Sequence, residues 1–382
     1  MTKEVFMIST YAKKNRENVL NVIREMCHIP APSFGERKRA EYCKALLESF
    51  GAEGVYIDEV NNCIYPMNCE GSRELTVIAA HLDTVFPDTE SYPEYHEDDK
   101  MIYCPGVGDD TASVAIMLYG IKYMLENGIV PPKGILFVCN ACEEGLGNLV
   151  GVRQLMKDFD GRIKQFITLD EDIGFCVNNA VGSHRYSVEA ITEGGHSFSA
   201  FGKKNAIAAL SEVITEIYKL EVPQKAGTKT TYNVGLISGG TSVNTIAQNS
   251  EMLCEYRSND RECLAAMQSA FEEIFDKAQS DEVRLNVTLV GDRPCKGDVD
   301  IPTEDRLVNA YRKAVAEVTG KEISLVPAST DANVPMSLGV AAVDMGVFRS
   351  GGTHTREEWL EKDCVVDGLD ILIRVIYSLI EE

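Results

Sequence analysis

Four short apolar runs, each followed closely by an ionisable side chain, constrain the fold of this chain more than any other feature. They occupy residues 75–80, 134–139, 165–169 and 340–348. Continuous apolar runs that alternate with helical patterns are typical of buried strands in a mostly parallel sheet. Since the carboxyl ends of parallel strands meet at one edge of a sheet, we expect the polar residues after these runs to lie close together.

Helical patterns separate the apolar runs. Apolar residues recur at helical spacing over residues 19–26, and a second helix is predicted over residues 35–50. With 382 residues, the chain is long enough for two domains. We therefore predict an α/β domain with a mostly parallel sheet, formed by residues 1–182 and 293–382.

The segment between these two parts has a different pattern. Residues 205–220 predict an amphipathic helix, and residues 251–257 alternate between apolar and charged side chains, as in a strand with one buried face. The predicted order of elements is β-α-β-β-α-β, which is that of a ferredoxin-like unit. Residues 183–292 are therefore predicted to form a small domain inserted into the larger one.

Composition limits the partners and the compartment. The net charge is -22, which should repel nucleic acid and anionic lipid, and no apolar run approaches the roughly 20 residues of a membrane span. Twelve cysteines are spread along the chain, which favours reduced thiols over a disulfide framework. Because the first residues also lack the pattern of a secretory signal, we expect a cytoplasmic protein.

Two motifs supply candidate ligands in the first part of the chain. His81 follows the first apolar run, and Asp83 could accept its second ring N–H; alone, this pair is as well explained as a strand cap. Asp109 and Asp110 follow two glycines in a tight turn, with a helix predicted to begin near Thr111. One of the two aspartates can project into the strand-end crevice, while the other caps the helix.

Acidic residues follow the second and third runs, and a histidine follows the fourth. Glu143 and Glu144 are adjacent carboxylates beyond a buried strand, which is costly unless cations balance them. One can bind metal while its neighbour acts as a general base. Asp170 comes first after the third run, with Asp172 as the alternative, and His354 follows a glycine-rich turn.

The strength of these signals lies in their combination. Each motif alone is explained by capping or solvation, yet together they bring two histidines and four carboxylates to one predicted sheet edge. Two histidines with three carboxylates suit a pair of zinc ions that share a bridging aspartate. Cobalt or manganese is an alternative, because these ligands accept several divalent ions.

In the order of its motifs, nearly the whole chain resembles the co-catalytic zinc exopeptidases and amidohydrolases. This family includes peptidase T, carboxypeptidase G, acetylornithine deacetylase and succinyl-diaminopimelate desuccinylase. The matching motifs are Ile29-Pro30-Ala31-Pro32-Ser33, His81-Leu82-Asp83-Thr84, Gly108-Asp109-Asp110, Glu143-Glu144-Gly145, Gly194-Gly195-His196-Ser197, Val243-Asn244-Thr245-Ile246, Tyr256-Arg257-Ser258, Ser329-Thr330-Asp331-Ala332 and Gly352-Thr353-His354-Thr355.

The resemblance implies a zinc-exopeptidase catalytic domain and a role for each metal ligand. Asp109 would bridge two zinc ions, with His81 and Asp170 completing one site and Glu144 and His354 the other. The family also implies a cis peptide after the bridging aspartate.

Further roles are implied outside the ligand set. Glu143 would be the general base and Asp83 would orient His81. The inserted unit would be a lid and dimerisation domain, whose His196 reaches the scissile carbonyl oxygen across a homodimer. Asn244 and Arg257 would contact substrate, and Arg257 suits a bidentate grip on a carboxylate.

The resemblance leaves the substrate open. Many relatives carry lysine where this chain has Thr111, so the local charge and the substrate preference are expected to differ. The segment 329–332 and the surroundings of His354 favour a small peptide as substrate. An N-acyl amino acid is the alternative substrate, and a phosphoester is a less favoured one. A non-catalytic binding protein on the same fold is a further hypothesis.

Overall fold

The computed structural model describes residues 3–380, which form two compact units. The larger unit comprises the chain up to Asn179 and from Asp298 onward, and the second unit is Ala180–Gly297. The segment 183–292, predicted to be an insertion, lies inside the second unit. None of the helices in the described residues is long and apolar enough to cross a membrane.

Helices and strands make up most of the described chain. The helices are α1 (Lys3–Cys27), α2 (Arg37–Ser49), α3 (Ser113–Glu126), α4 (Val150–Asp158), α5 (Ala206–Ile217), α6 (Arg261–Ala278), α7 (Ile301–Thr319), α8 (Asn333–Ser337) and α9 (Cys364–Ile380). The strands are β1 (Tyr56–Ile57), β2 (Cys63–Met67), β3 (Leu75–His81), β4 (His96–Glu97), β5 (Met101–Tyr103), β6 (Gly134–Asn140), β7 (Ile163–Asp172), β8 (Phe175–Ala180), β9 (Gly182–Ile191), β10 (Gly195–His196), β11 (Thr230–Gly239), β12 (Thr245–Ile246), β13 (Asn249–Ser258), β14 (Arg284–Arg293), β15 (Ser324–Ala328), β16 (Ala341–Phe348), β17 (Ser350–Gly351) and β18 (Trp359–Glu361).

The larger unit is built on an eight-stranded sheet with the order β1-β2-β6-β3-β7-β16-β8-β15. Its four central strands, β6, β3, β7 and β16, are mutually parallel and correspond to the four apolar runs. Every residue of β3, β6 and β16 is buried. Helices α3, α7, α8 and α9 pack against the sheet, and α1 packs on α3 and α9. The predicted α/β fold with a mostly parallel sheet is therefore confirmed.

The second unit contains its own sheet and core. Its six main elements follow in the order β9, α5, β11, β13, α6, β14, and its four long strands form an antiparallel sheet. Alternate residues of β13 are buried against α5 and α6, so that Met252, Cys254 and Tyr256 pack with Leu210 and Phe271. This is the β-α-β-β-α-β order expected from the sequence.

Candidate metal centre

The predicted ligands of the larger unit gather at the carboxyl ends of its parallel strands. His81 is the last residue of β3, and Glu144 lies four residues beyond the end of β6. Asp170 lies within β7, which runs on to Asp172, so the strand ends three residues later than the apolar run at residues 165–169. His354 follows β17 in a left-handed backbone conformation.

Asp109 enters from a distorted turn, Val107–Ala112, which leads into α3. Asp109 and Asp110 have non-helical backbone angles within this turn. The peptide bond between them is cis, which confirms the expectation drawn from the resemblance.

One carboxylate oxygen of Asp109 faces each histidine. Its Oδ1 lies 2.9 Å from Nε2 of His81, and its Oδ2 lies 3.1 Å from Nε2 of His354. The same His81 nitrogen is 3.6 Å from Oδ1 of Asp170, and the same His354 nitrogen is 3.0 Å from Oε1 of Glu144. Two histidine–carboxylate groups therefore share a single aspartate, which is the geometry required of a bridging ligand.

The structure also separates the two candidate aspartates of β7. Asp170 contacts His81, whereas Asp172 turns away and accepts a hydrogen bond from the main-chain N–H of Ser350 at 2.8 Å. The geometry therefore favours Asp170 over Asp172 as a ligand.

Glu143 faces the group that contains His81 and Asp170, and one potential ligand atom from each of the three lies within 4.8 Å of the others. The carboxylate of Asp83 accepts hydrogen bonds from the main-chain N–H groups of Glu143 at 2.9 Å and Glu144 at 3.0 Å. Its contact with His81 is made mainly by its carbonyl oxygen, 3.0 Å from Nδ1, while its Oδ1 lies 3.6 Å away. Either contact directs Nε2 of His81 towards Asp109.

Burial and mutual repulsion change the pKa values of the group. Burial and the charge of Asp109 raise the pKa of Glu144 to about 7 and that of Asp170 well above its usual range. Hydrogen bonds to Asp109 and Glu144 raise the pKa of His354 to about 10. Burial acts to lower the pKa of His81, but the charge of Asp170 and the contact with Asp109 outweigh it and raise that pKa.

The donor set therefore fits divalent cations. Without metal, the raised pKa values favour protonated Glu144 and Asp170 and charged histidines, whereas contacts with His354 and His81 lower the pKa of Asp109. Among residues 3–380, two groups of three ionisable residues have ligand atoms within 4.8 Å of one another: His81, Asp109 and Glu144, and His81, Glu143 and Asp170. Imidazole nitrogen and carboxylate oxygen are both ordinary zinc ligands.

Thr111, where the resemblance implies lysine in many relatives, contacts the guanidinium of Arg39. The hydroxyl of Thr111 accepts a hydrogen bond from Arg39 at 3.1 Å and donates one to the carbonyl of Gly106 at 2.6 Å. Arg39 is fully buried and also donates to the carbonyl oxygens of Met26, Ile29 and Leu82. A positive charge is therefore present beside the turn, although it comes from α2.

The three residues of the second unit that are predicted to contact substrate do not lie together as the metal ligands do. His196 and Asn244 are exposed and adjacent, because β10 pairs with β12 and the N–H of Ser197 donates to the carbonyl of Asn244 at 2.9 Å. Arg257 lies on β13, in the other sheet of this unit. There its guanidinium binds both carboxylate oxygens of Glu255, at 2.8 and 3.0 Å.

Sequence reasoning missed several acids around the ligands. Glu358 is fully buried and accepts main-chain hydrogen bonds from Gly106, Gly108 and Asp109, at 2.8–3.0 Å. Asp344 is fully buried within β16 and accepts the main-chain N–H of Asp170 at 2.8 Å. A signal for Asp344 was available, since it is the one acid in an apolar run. Glu358 had no signal beyond its place shortly after His354.

A buried sheet that ends in two histidine–carboxylate groups sharing one aspartate defines a candidate dinuclear metal centre. Residues 77–378 match the model of peptidase family M20/M25/M40, and the chain belongs to this family.

Known proteins resemble the chain over most of its length. The uncharacterised protein YqjE of Bacillus subtilis is 23% identical over 390 residues, which cover 95% of this chain and 98% of that protein. A probable carboxypeptidase of Aspergillus clavatus is 24% identical over 267 residues, covering 64% of this chain and 63% of that protein. The crystal structure of aminopeptidase PepT from Bacillus cereus superposes with a TM-score of 0.73 at 22% identity, covering 96% of this chain and 99% of that one.

Proposed function

We propose that this protein is a metal-dependent exopeptidase that hydrolyses an amide bond of a small peptide. The observation that carries the proposal is the position of Asp109, with one carboxylate oxygen on each of two histidines. Membership of a peptidase family supports the same reaction class. Two zinc ions are the proposed cofactors, with cobalt or manganese as alternatives.

The ligands would be His81 and Asp170 for one ion and Glu144 and His354 for the other, with Asp109 between them. Ions held there would supply Lewis acidity, which lowers the pKa of a water and polarises the substrate carbonyl. The chain's own residues would move the proton.

Glu143 would carry that proton. It lies beside His81 and Asp170, outside the proposed ligand set, and its main chain is held by Asp83. In this position its carboxylate would take a proton from the attacking water and then deliver it to the leaving amine. His196 would donate a hydrogen bond to the carbonyl oxygen as its charge develops. Asn244 and Arg257 would contact the substrate, and Arg257 suits a carboxylate there.

The choice between peptide and acyl substrates needs a direct test. Similarity to an aminopeptidase fold and to a probable carboxypeptidase favours peptides but disagrees about the end that is cleaved. An N-acyl amino acid deacylase would use the same groups on a different acyl chain. A non-catalytic binding protein is disfavoured, because Glu143 and all five proposed ligands are present.

The remaining proposals concern assembly and location. A homodimer and a lid role for the second unit rest on the family resemblance. The cytoplasmic location rests on composition, and all twelve cysteines are free and buried in the structure. With a net charge of -22, neither nucleic acid nor an anionic membrane is a proposed partner.

The decisive experiment measures amine release from di- and tripeptides and from N-acyl amino acids, using metal-loaded and chelator-stripped protein. We expect metal-dependent cleavage of peptides, and the released residue identifies the end that is attacked. Cleavage of acylated amino acids alone would establish the deacylase instead. No cleavage by protein with two bound ions would refute the proposal.

A Glu143→Ala variant tests the assigned base. We expect turnover to fall by about 10²–10⁴-fold while the metal content stays that of the wild type. Turnover close to that of the wild type would show that another group carries the proton.

A further inference from the structure

Buried acids outside the proposed ligand set accept hydrogen bonds from main-chain N–H groups of the candidate centre. Five residues of the candidate centre donate their main-chain N–H to a carboxylate that is not itself a proposed ligand. The pairs are His81 to Asp110 at 2.9 Å, Asp109 to Glu358 at 3.0 Å, Glu143 and Glu144 to Asp83 at 2.9 and 3.0 Å, and Asp170 to Asp344 at 2.8 Å.

We infer that Asp110, Asp344 and Glu358 are positioning residues that set the geometry of the metal ligands through their backbone. The inference rests on the proposed metal centre and extends it to residues that touch neither metal nor substrate. Carboxyl groups are suited to the task, because their two oxygens can accept from several N–H groups.

Glu358 makes the most extensive contacts of the three. Its Oε1 accepts from Gly108 at 2.8 Å and Asp109 at 3.0 Å, and its Oε2 accepts from Gly106 at 3.0 Å. A side chain on Gly108 would place its Cβ 2.4 Å from Cβ of Ser350 and 3.1 Å from Oε1 of Glu358. The approach of the carboxylate therefore depends on glycine at this position.

The position of Glu358 couples both halves of the centre. It lies four residues after His354, and its carbonyl oxygen accepts the N–H of Cys104 at 3.0 Å. Its carboxylate holds the turn that carries Asp109. A shift of Glu358 would therefore displace the residue that faces both histidines, and it should affect both ions together.

Asp344 gives an independent case. It is fully buried in β16, and among residues 3–380 no hydrogen-bond donor reaches its Oδ2. An unpaired buried carboxylate oxygen costs stability, so an apolar side chain would suit the strand better. This loss of stability occurs at the residue whose other carboxylate oxygen accepts the N–H of Asp170.

The test compares metal binding by wild-type protein, Glu358→Gln and Asp344→Asn. The Gln variant keeps the size of the side chain but turns an NH₂ group towards one of its three N–H donors. The Asn variant can still accept from Asp170 through its oxygen, so it perturbs one ligand mildly. Asp260→Asn is the matched control, because Asp260 accepts two main-chain N–H groups at 3.0 Å in the second unit.

Two readouts separate positioning from a purely structural role. One is the dissociation constant of zinc for each site, measured by competition with a chelator. The other is the visible absorption spectrum of the cobalt-loaded protein, which reports the coordination geometry. We expect Glu358→Gln to weaken both sites by about 10–100-fold and to change the spectrum, Asp344→Asn to have a smaller effect confined to one site, and Asp260→Asn to have none.

Wild-type affinities and spectra in both variants would overturn the inference. If Glu358→Gln fails to fold, Asp344→Leu decides, since it removes the acceptor of the Asp170 N–H, and unchanged zinc binding by that folded variant would contradict the assignment. A wild-type protein that binds no divalent ion would refute the proposed function itself, a result distinct from any difference between the variants.

Discussion

The two units of the chain use charged residues in opposite ways. In the larger unit, buried acids cluster around the carboxyl ends of parallel strands, where histidines and main-chain N–H groups are among their partners. In the second unit, charged residues lie on the open face of an antiparallel sheet and pair with one another, as Glu255 does with Arg185 and Arg257. Buried carboxylates that need a cation support the proposed metal centre in the larger unit, whereas the paired charges of the second unit do not indicate such a site.

The largest effect on metal content and turnover is expected from a substitution of Asp109. Replacing it with alanine removes the one carboxylate that faces both histidines, and we expect the content of bound zinc to fall from two ions to less than one. Turnover should fall by more than about 10³-fold, because electrostatic stabilisation of the transition state depends on both ions. Elemental analysis after gel filtration measures the metal content.

The matching change in the second unit is Asp260→Ala, which removes a helix cap and the partner of Lys225. We expect the protein to lose about 1 kcal/mol of stability and to keep both ions. Loss of metal from this variant would contradict the contrast between the two units.

The second prediction compares neighbours on one strand. Asp170→Asn should empty one of the two metal sites, since Asp170 faces His81. Asp172→Asn should retain both ions, because the Asp172 carboxylate accepts the N–H of Ser350 and an amide oxygen can accept the same bond. We expect turnover to fall about 10²-fold or more in the first variant and a few-fold at most in the second. The reverse order would assign the ligand to Asp172.

The third prediction concerns pH and the metal-free protein. The pKa values of Glu144 and Glu358 are raised to about 7 and that of Asp331 to about 8. Between about pH 5 and pH 8 the folded chain therefore keeps protons that an unfolded chain, with carboxyl pKa values near 4, has released. Stability falls with rising pH wherever the folded state binds more protons, and the raised pKa values of both histidines act in the same direction.

We expect the free energy of unfolding of stripped protein to drop by about 3 kcal/mol or more across this range, and zinc to remove the decline. Denaturant titrations at pH 5.5 and pH 8 would measure both. The second unit sharpens the comparison, because the pKa of Asp260 is lowered to about 2 by Lys225, and its contribution is lost only as the pH falls below about 4. Stability of the stripped protein that rises towards pH 8 would contradict the protonated cluster.

The smallest effect is expected at Arg257. If this side chain binds a substrate carboxylate, Arg257→Lys should raise KM by about tenfold through the loss of a charged hydrogen bond, with kcat little changed. Glu255→Gln is the control, because it frees the guanidinium from its present partner and should lower KM. Unchanged KM in both variants would leave Arg257 as a residue of the sheet surface.

Sequence patterns predicted the larger unit well because each signal there has a strong physical cause. Fully buried parallel strands require long apolar runs, and ligands at strand ends follow those runs directly, as His81 follows β3. The end of β7 was placed too early, because Asp170 and Asp172 look like loop residues to a pattern that counts only apolar side chains. The strand continues because β7 stays paired with β16 as far as Asp172, which lies opposite Phe348.

The supporting acids were not predictable in the same way. Glu358 acts through main-chain N–H groups some 250 residues earlier in the sequence, and no local pattern encodes such a contact. Asp344 was visible as an acid in a buried run, but its partner could be found only once β16 and β7 were aligned side by side. Only the structure shows that these carboxylates accept hydrogen bonds from main-chain N–H groups far away in the sequence.

The most direct test of the central claim is a crystal structure of the zinc-loaded protein with anomalous diffraction measured at the zinc edge. We predict two peaks about 3.5–4 Å apart, with Asp109 bound to both, His81 and Asp170 on one, and Glu144 and His354 on the other. A single peak, or two peaks without Asp109 between them, would contradict the two-metal account.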